Sequence, residues 1–350
     1  MLLKELTLLS GPSGHEDEVR AFLKKEAAAR GAQVRCDALG NVIATRPGTH
    51  PDKPHVMISA HMDEVGFIVR SATEDGLLRI DCVGGIDPRV IVSKRVRVGD
   101  AKVPGVIGAI AIHLQTAEDM ERVLDYDGLY IDIGAKDKDE AQRVARVGTD
   151  AVFDSDYVEF GDGLVKAKAL DDRVGCCAAL RALSESEYDG DLTCVFTAQE
   201  ECGLRGAEVA AYRVKPDLAL VLEGTASNDM GMTPSDTLKV TRVNQGVAVS
   251  FMDRSSIVNR PLFDYVTGTA EAAGIPWQIK QLMTGGNDAG PIHKSRAGVP
   301  SIVLSTPCRY IHSPACVASY RDMQAQQELV LAVLRRLKDA CPFGKIEGKE

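Results

Sequence analysis

Short apolar runs and segments with helical periodicity alternate in the first and last parts of the chain. The strand-like runs are residues 34–36, 42–44, 55–60, 192–197, 218–222, 277–282 and 299–304. Apolar residues with helical spacing mark segments that end at Gly31 and that cover residues 171–182, 257–273 and 321–338. Ser13 and Glu16 have the S-x-x-E spacing of a capping box, which predicts the start of the first of these helices. This alternation predicts an α/β domain in which helices flank a central mixed β-sheet.

The middle of the chain has a different pattern. Its apolar runs are short, β-branched and interrupted by Gly, Pro and Asp, at residues 66–70, 77–83, 95–98 and 106–112. Only residues 116–124 and 137–144 have a helical pattern there. We therefore expect a discontinuous α/β domain of residues 1–65 and 163–350, interrupted by an inserted β-rich domain of residues 66–162.

Composition narrows the class of protein. The 350 residues are 45% hydrophobic and 26% charged, with a net charge of -9, which argues against a nucleic-acid binder. No apolar stretch reaches the ~18 residues of a membrane span, and the first residues lack the features of a signal peptide. The nine cysteines are odd in number, and most lie in apolar runs, at Cys36, Cys82, Cys176, Cys177 and Cys194. They indicate unpaired thiols and a cytoplasmic location.

A pair of carboxylates follows the strand-like run of residues 192–197. Glu200 and Glu201 are adjacent, and two acids at the end of a buried strand are unfavourable without a nearby positive charge. Neighbouring side chains on extended backbone point in different directions. We therefore expect different roles for the pair, with one acid binding a metal and the other moving a proton.

Further polar residues stand at or just beyond the ends of predicted elements, where open α/β sheets collect their functional groups. With Glu201, they are His61, Asp171, Glu223 and His312. This mixed set of N and O donors suits Zn²⁺, Co²⁺ or Mn²⁺ better than Ca²⁺ or Mg²⁺. Five ligands suffice for two ions ~3.5–4 Å apart if one carboxylate bridges them.

Each residue also has a structural interpretation. His61 and Asp63 are compatible with an ordinary contact along one strand face, or with a carboxylate that orients a metal-bound histidine. Asp171 is compatible with a helix start, and His312 with a hydrogen-bonded loop histidine. Glu223 ends an apolar run, where an unpaired carboxylate is unfavourable. A metal site accounts for all of them together.

At these residues the sequence resembles the dinuclear-metal aminopeptidases of the tetrahedral (TET) type. That family includes glutamyl and leucyl aminopeptidases, and some members are labelled endoglucanase or cellulase M. The likeness covers nearly the whole chain. Its blocks are SGPSGHE at residues 10–16, SAHMDEVG at 59–66, KALDDR at 168–173, TAQEECGLRG at 197–206 and YIHSP at 310–314.

The resemblance implies a role for each site residue. It puts His61 on one metal and His312 on the other, with Asp171 bridging them and with Glu201 and Glu223 each completing one metal. Glu200 would be the general base, and Asp63 would support His61. In similar enzymes a cis peptide joins Asp171 to Asp172. The metals expected are Zn²⁺ or Co²⁺, with Mn²⁺ as a further candidate.

The resemblance also implies an architecture and partners. The main domain would be of the zinc-peptidase type, and the insert would be a PDZ-like dimerisation domain. Dimers would build a dodecameric tetrahedron that takes peptide substrates.

Two residues depart from the pattern of the family. Glu223 stands where many relatives have Asp, and Asn287 replaces a common Thr in a loop near the substrate's first side chain. We expect Asn287 and Asp288 to contact the substrate, while the preferred side chain stays open.

The expected reaction is hydrolysis of the N-terminal peptide bond by a metal-activated water, with Glu200 carrying the proton. One rival is a metal-dependent deacylase or carboxypeptidase. It would need a basic anchor, for which the candidates are Arg173, Arg205 and Arg309. Glycoside hydrolysis by two carboxyl groups is a second rival, and a non-enzymatic binding role is a third.

Overall fold

The computed structural model describes residues 2–230, 239–283, 285–339 and 342–343. Its strands are β1 (Gln33–Cys36), β2 (Val42–Arg46), β3 (Val56–His61), β4 (Gly66–Ala72), β5 (Leu78–Val83), β6 (Arg95–Val98), β7 (Val103–Gly108), β8 (Tyr130–Asp132), β9 (Asp150–Phe153), β10 (Val158–Phe160), β11 (Leu164–Ala167), β12 (Leu192–Thr197), β13 (Leu218–Ala226), β14 (Val247–Ser250), β15 (Trp277–Ile279), β16 (Ser301–Arg309) and β17 (Cys316–Ser319). Its α-helices are α1 (Leu2–Leu8), α2 (Asp17–Ala29), α3 (Ala117–Glu121), α4 (Lys138–Val144), α5 (Leu170–Glu185), α6 (Arg205–Val214), α7 (Arg260–Ala273), α8 (Ala289–His293) and α9 (Tyr320–Asp339). None of the described helices is both long enough and apolar enough to cross a membrane.

A large mixed sheet forms the main body. Its strand order is β1-β2-β12-β3-β13-β16-β17-β11-β10, and β14 and β15 extend it from β16. The central strands β12, β3, β13 and β16 are parallel, and the outer pairings are mostly antiparallel. This confirms the predicted α/β class with a central mixed sheet.

Helices cover both faces of this sheet, which explains the continuous apolar runs of its central strands. Alternate residues of β3 point into different cores. Ile58 belongs to a core that includes residues of α2, α5 and α9, whereas Met57 packs in a second core with residues of α6 and α8. Because both faces are buried, every residue of β3 is buried, including His61 at its end.

A separate closed barrel contains the six antiparallel strands β4-β5-β8-β7-β6-β9. It has a core of its own, in which Phe67 and Phe153 meet edge to face with their ring centroids 5.3 Å apart. The predicted β-rich character of this part of the chain is therefore confirmed. The barrel strands end at Phe153, and β10 then pairs with β11 in the large sheet.

Several local predictions were wrong. Ser13 does not cap a helix through an S-x-x-E box: α2 begins at Asp17, and the Ser13 hydroxyl donates instead to Asp63 Oδ2 at 2.5 Å. A hydrogen bond to a charged carboxylate is stronger than one to a neutral acceptor, which favours this partner. Glu223 lies within β13 rather than at its end. The described cysteines are unpaired, as predicted, but Cys36 is exposed and Cys82 is half-buried.

Candidate metal centre

Parallel strands bring the predicted site residues to one edge of the sheet. His61 is the last residue of β3 and lies opposite Thr197, the last residue of β12. Glu223 lies on the neighbouring strand β13, and His312 follows β16 in the loop that leads to β17. Asp171 sits at the start of α5, where its Oδ1 accepts the backbone N–H of Gly224 at 2.9 Å. The carboxyl ends of the strands therefore form the site, as expected for an open α/β sheet.

Asp171 faces a different histidine with each of its two carboxylate oxygens. Oδ1 lies 3.3 Å from His61 Nε2, and Oδ2 lies 3.7 Å from His312 Nε2. Each histidine has a further acid beside the same nitrogen. Glu223 Oε2 is 3.6 Å from His61 Nε2, and Glu201 Oε1 is 3.2 Å from His312 Nε2. The five predicted ligands thus form two groups that share Asp171.

These separations suit bound divalent ions. Two ligand atoms at ~2.0–2.2 Å from one ion lie roughly 3–3.6 Å apart in tetrahedral or related geometry. Ligand atoms of His61, Asp171 and Glu201 all lie within 4.8 Å of one another. Glu223 Oε1 is buried and has no hydrogen-bond partner, which is unfavourable unless a cation binds it. The donor set and its spacing therefore fit divalent metal ions.

The other ring nitrogen of each histidine is held away from the centre. His61 Nδ1 is 3.2 Å from the carbonyl oxygen of Asp63 and 3.5 Å from its Oδ1. His312 Nδ1 donates to the carbonyl of Gly85 at 2.7 Å, and Gly85 follows the barrel strand β5. Hydrogen bonds of this kind set the ring orientation of metal-binding histidines and leave Nε2 free to bind.

Asp63 also fixes the pair of glutamates. Its Oδ1 accepts the backbone N–H of Glu200, and its Oδ2 accepts that of Glu201, both at 3.1 Å. Gln199, just before the pair, has a φ of 57° and turns the chain away from β12. Glu200 and Glu201 therefore lie in a turn, and the expectation of extended backbone for the pair was wrong.

Charge is concentrated at this edge of the sheet. Burial alone lowers the pKa of His61, but its hydrogen bonds to Asp171 and Asp63 outweigh burial and hold the pKa well above its ordinary value. For His312 the same balance, with Asp171 and Glu201 as partners, raises the pKa to about 11. Burial and the surrounding carboxylates raise the pKa of both Glu200 and Glu223 well above the ordinary range. This excess of acids provides the field that favours divalent cations.

The peptide bond between Asp171 and Asp172 is cis, as the resemblance implied. Asp172 is completely buried, and its Oδ1 accepts the backbone N–H of Gly175 at 2.9 Å.

A cavity of about 440 Å³ opens beside the candidate centre. Glu200 and the four candidate ligands Asp171, Glu201, Glu223 and His312 contribute to its wall.

Asn287 also lines this cavity, where it is held by a bond from its Nδ2 to Asp253 Oδ2 at 2.8 Å. Asp288 is completely buried and is not among the lining residues. It accepts hydrogen bonds from Thr197 and Ser59 instead. The predicted contact of Asp288 with substrate therefore stays a prediction.

The basic residues considered as carboxylate anchors lie elsewhere. Arg173 is completely buried beside Glu64, Arg205 is exposed, and Arg309 forms two hydrogen bonds with Asp229. A lysine in the wall of the cavity, Lys280, was missed by sequence reasoning. Its one signal was a lysine inside the strand-like run of residues 277–282.

Comparison with known proteins identifies the family of this chain. The sequence model of the family described as M42 glutamyl aminopeptidase matches residues 40–329. The lysyl aminopeptidase of Pyrococcus furiosus is 32% identical over 96% of this chain and 97% of its own length.

Two solved structures share the fold along nearly the whole chain. A TET aminopeptidase from a marine-sediment Thaumarchaeota archaeon is 35% identical, with a TM-score of 0.92 over 96% of both chains. The Pyrococcus horikoshii TET1 peptidase, described as assembling into a tetrahedron or a large octahedral shell, is 31% identical. Its TM-score is 0.83 over 95% of this chain and 98% of its own. The chain therefore belongs to the M42 glutamyl aminopeptidase family, whose members are metal-dependent peptide hydrolases.

Proposed function

We propose that this protein is a dinuclear metal-dependent aminopeptidase that removes N-terminal residues from peptides. His61 and Glu223 would bind one ion, His312 and Glu201 the other, and Asp171 would bridge them. The observation that carries the assignment is the position of Asp171, whose two oxygens face different histidines. Zn²⁺ or Co²⁺ suits these donors best, and Mn²⁺ is a further candidate.

When bound, the metals would lower the pKa of a water molecule and polarise the scissile carbonyl. Glu200 would take the proton of the attacking water and deliver a proton to the leaving amine. Its side chain lines the cavity, and Asp63 holds its backbone N–H. Asp63 would also keep the His61 ring oriented. The acids around the cavity would bind the free ammonium group of the substrate.

We further propose the domain roles that the resemblance implied. Residues 1–65 and 163–350 would form a catalytic domain of the zinc-peptidase type, and residues 66–162 a PDZ-like dimerisation domain. The separate six-stranded barrel supports this division, although β10 pairs with the large sheet. The assemblies described for the Pyrococcus horikoshii relative support self-association into a dodecamer. The expected location stays cytoplasmic.

A second candidate is a metal-dependent deacylase or carboxypeptidase, favoured by the single observation that Lys280 lines the cavity. A cation there could bind a substrate's α-carboxylate, which an aminopeptidase acting on longer peptides does not require.

One experiment separates these functions. Chelated protein is resupplied with Zn²⁺, Co²⁺ or Mn²⁺ and assayed on aminoacyl amides and on N-acetylated amino acids. Metal-restored release from the aminoacyl amides supports the aminopeptidase. Release from the N-acetylated amino acids alone supports the deacylase, and release from neither set overturns the proposal.

A further inference from the structure

A second cavity adjoins His312, between residues 85–94 of the barrel part of the chain and the loop of residues 310–315. We call this cavity the barrel groove, and its volume is about 560 Å³. Gly85, Ile311 and His312 line both the barrel groove and the cavity beside the candidate metal centre. The two spaces therefore meet at the centre, and one extended ligand could occupy both.

The walls of the barrel groove suit the side chains of a peptide. Val90 on the barrel side is 39% exposed, and Tyr310 on the loop side is 53% exposed. Large apolar side chains that remain exposed along a concave surface are typical of a binding site. The groove therefore offers apolar contacts from both of its sides.

The charge of the barrel groove is opposite to that of the metal centre. Among the described residues that line the groove, the cations Arg89 and Lys94 stand against one acid, Asp87. Arg89 is already paired, since its Nε lies 2.9 Å from each carboxylate oxygen of Asp87. Lys94 is exposed just before β6, and within the described part of the chain its Nζ makes neither a hydrogen bond nor an ion pair. The charge of Lys94 is therefore available to a bound anion.

This distribution of charge gives a peptide one orientation across the metal centre. The acids of the centre attract the ammonium group of the peptide's first residue and repel its carboxylates. When the first residue lies beside these acids and the scissile bond lies at the metal positions, the following residues can extend into the barrel groove. Lys94 then lies on the side of the leaving peptide.

We propose that the barrel groove binds the residues that follow the scissile bond, and that Lys94 pairs with a carboxylate on them. This inference rests on the aminopeptidase function proposed above and adds a binding site for the leaving peptide. The carboxylate is either the C-terminal group of a short peptide or an acidic side chain of a longer one. The barrel would then take part in substrate binding in addition to its proposed role in assembly.

The test uses peptides in which the first residue is followed by one to four alanines. The first residue is the one that the metal-loaded enzyme releases fastest from aminoacyl amides. Each peptide is compared as the free acid and as the C-terminal amide, and the ratio of the two kcat/KM values isolates the effect of the carboxylate. We expect this ratio to reach about three- to fivefold at one chain length, because a partly exposed ion pair has an effect of that size.

A second set of peptides separates the two sources of the carboxylate. These peptides are all C-terminal amides and carry either Asp or Asn at the last position of the preferred length. A preference for Asp shows that an acidic side chain binds at Lys94, whereas a preference confined to the first set shows that the C-terminal group does. Either result supports the proposal when it depends on Lys94.

Two substitutions and one control establish that dependence. Lys94→Met keeps the apolar stem of the side chain and should bring the ratio to about one. Lys94→Glu should lower the ratio below one, since it repels the carboxylate. Lys136→Met removes an exposed lysine from the barrel part of the chain, away from the groove lining, and should leave the ratio unchanged. Each ratio is measured within one preparation, so partial misfolding of a variant does not alter it.

The outcomes distinguish this inference from the proposed function. Cleavage of the peptides with a ratio near one in both sets, or with the same ratio in Lys94→Met as in the unmodified protein, overturns the inference alone. An equal loss in Lys136→Met also overturns it, because the effect would then come from the overall charge of the barrel. Release from neither the peptides nor the aminoacyl amides overturns the aminopeptidase function and the inference with it.

Discussion

The carboxylate of Asp63 accepts the backbone N–H of Glu200 at 3.1 Å, although 137 residues separate the two along the chain. Through this bond the residue that supports His61 also sets the position of the proposed general base. Asp63 is completely buried, and its second oxygen holds Glu201 and Ser13. Both halves of the candidate centre therefore depend on one carboxylate.

Replacing Asp63 with Asn should weaken metal binding and activity by about 10–100-fold. Asparagine has the same shape as aspartate but lacks the charge that supports His61. Its amide nitrogen cannot accept a hydrogen bond, so one of the three donors that contact Asp63 is left without an acceptor. Metal affinity measured by competition with a chelator checks this. Asp139→Asn, an exposed change in the first turn of α4, is the control. Unchanged affinity in Asp63→Asn would show that the bond pattern is incidental.

Glu200→Gln should retain both metals and lower kcat by roughly 10²-fold or more, because the amide cannot accept the proton of the attacking water. Steady-state kinetics with metal analysis of the same sample measures both quantities. Glu208→Gln, on the exposed side of α6, should behave as the unmodified protein. Near-normal turnover in Glu200→Gln would remove Glu200 from the mechanism.

The histidines should each control one metal. We expect two bound ions per chain. His61→Ala and His312→Ala should each reduce the number to about one, because the remaining ligands no longer complete the coordination of the affected ion. Elemental analysis by mass spectrometry after dialysis gives the count. His113→Ala, an exposed change in the barrel part of the chain, should keep both ions. A full count in His312→Ala would refute the pairing of His312 with Glu201.

Metal binding should release protons and weaken as the pH falls. Without metal, the hydrogen bonds that the protonated His312 ring donates to Asp171 and Glu201 hold its pKa at about 11, so this imidazole is protonated at neutral pH and must lose its proton to bind a metal. Calorimetry of metal binding in two buffers of different ionisation enthalpy should detect the release of about one proton from this histidine. His312→Ala has no imidazole at this position, so metal binding should release about one proton fewer. An identical heat in both buffers for the unmodified protein would contradict the prediction.

A buried ion pair beside the site should support the fold. Glu64 Oε1 accepts from Lys168 Nζ at 2.5 Å, and both side chains are almost fully buried. Lys168→Met leaves Glu64 with the more distant Arg173, at 3.6 Å, and should lower the free energy of unfolding by about 3–5 kcal/mol. Urea denaturation measures the loss against Lys24→Met, an exposed change on α2. A difference below about 1 kcal/mol would show that Arg173 alone compensates Glu64.

Most of the candidate centre was predictable because its residues are local anomalies. His61 breaks an apolar run at its end, and Glu200 and Glu201 put two charges directly after another run. Burial makes such charges unfavourable, so the pattern marks them as candidates for a metal site. The central parallel strands were predictable for the related reason that burial on both faces requires continuous apolar residues.

Contacts between distant parts of the chain were not predictable. Ser13 matched a capping pattern with its near neighbour Glu16, but its partner Asp63 is 50 residues away. Lys280 stands inside the strand-like run of residues 277–282, and the pattern there predicted no functional residue. Its place in the cavity depends on the hydrogen bond to Val249 in β14, a strand of only four residues whose pattern is too short to recognise.

The bond from His312 to Gly85 links the candidate centre directly to the chain that leaves the barrel. Gly85 lies two residues after the end of barrel strand β5, so a rotation of the barrel against the large sheet would displace the imidazole ring that faces Asp171 and Glu201. A contact on the outside of the barrel that rotates it would then change how tightly the metal position beside His312 binds its ion. Exchanging this barrel for another would require the loop around Gly85 to be rebuilt along with it.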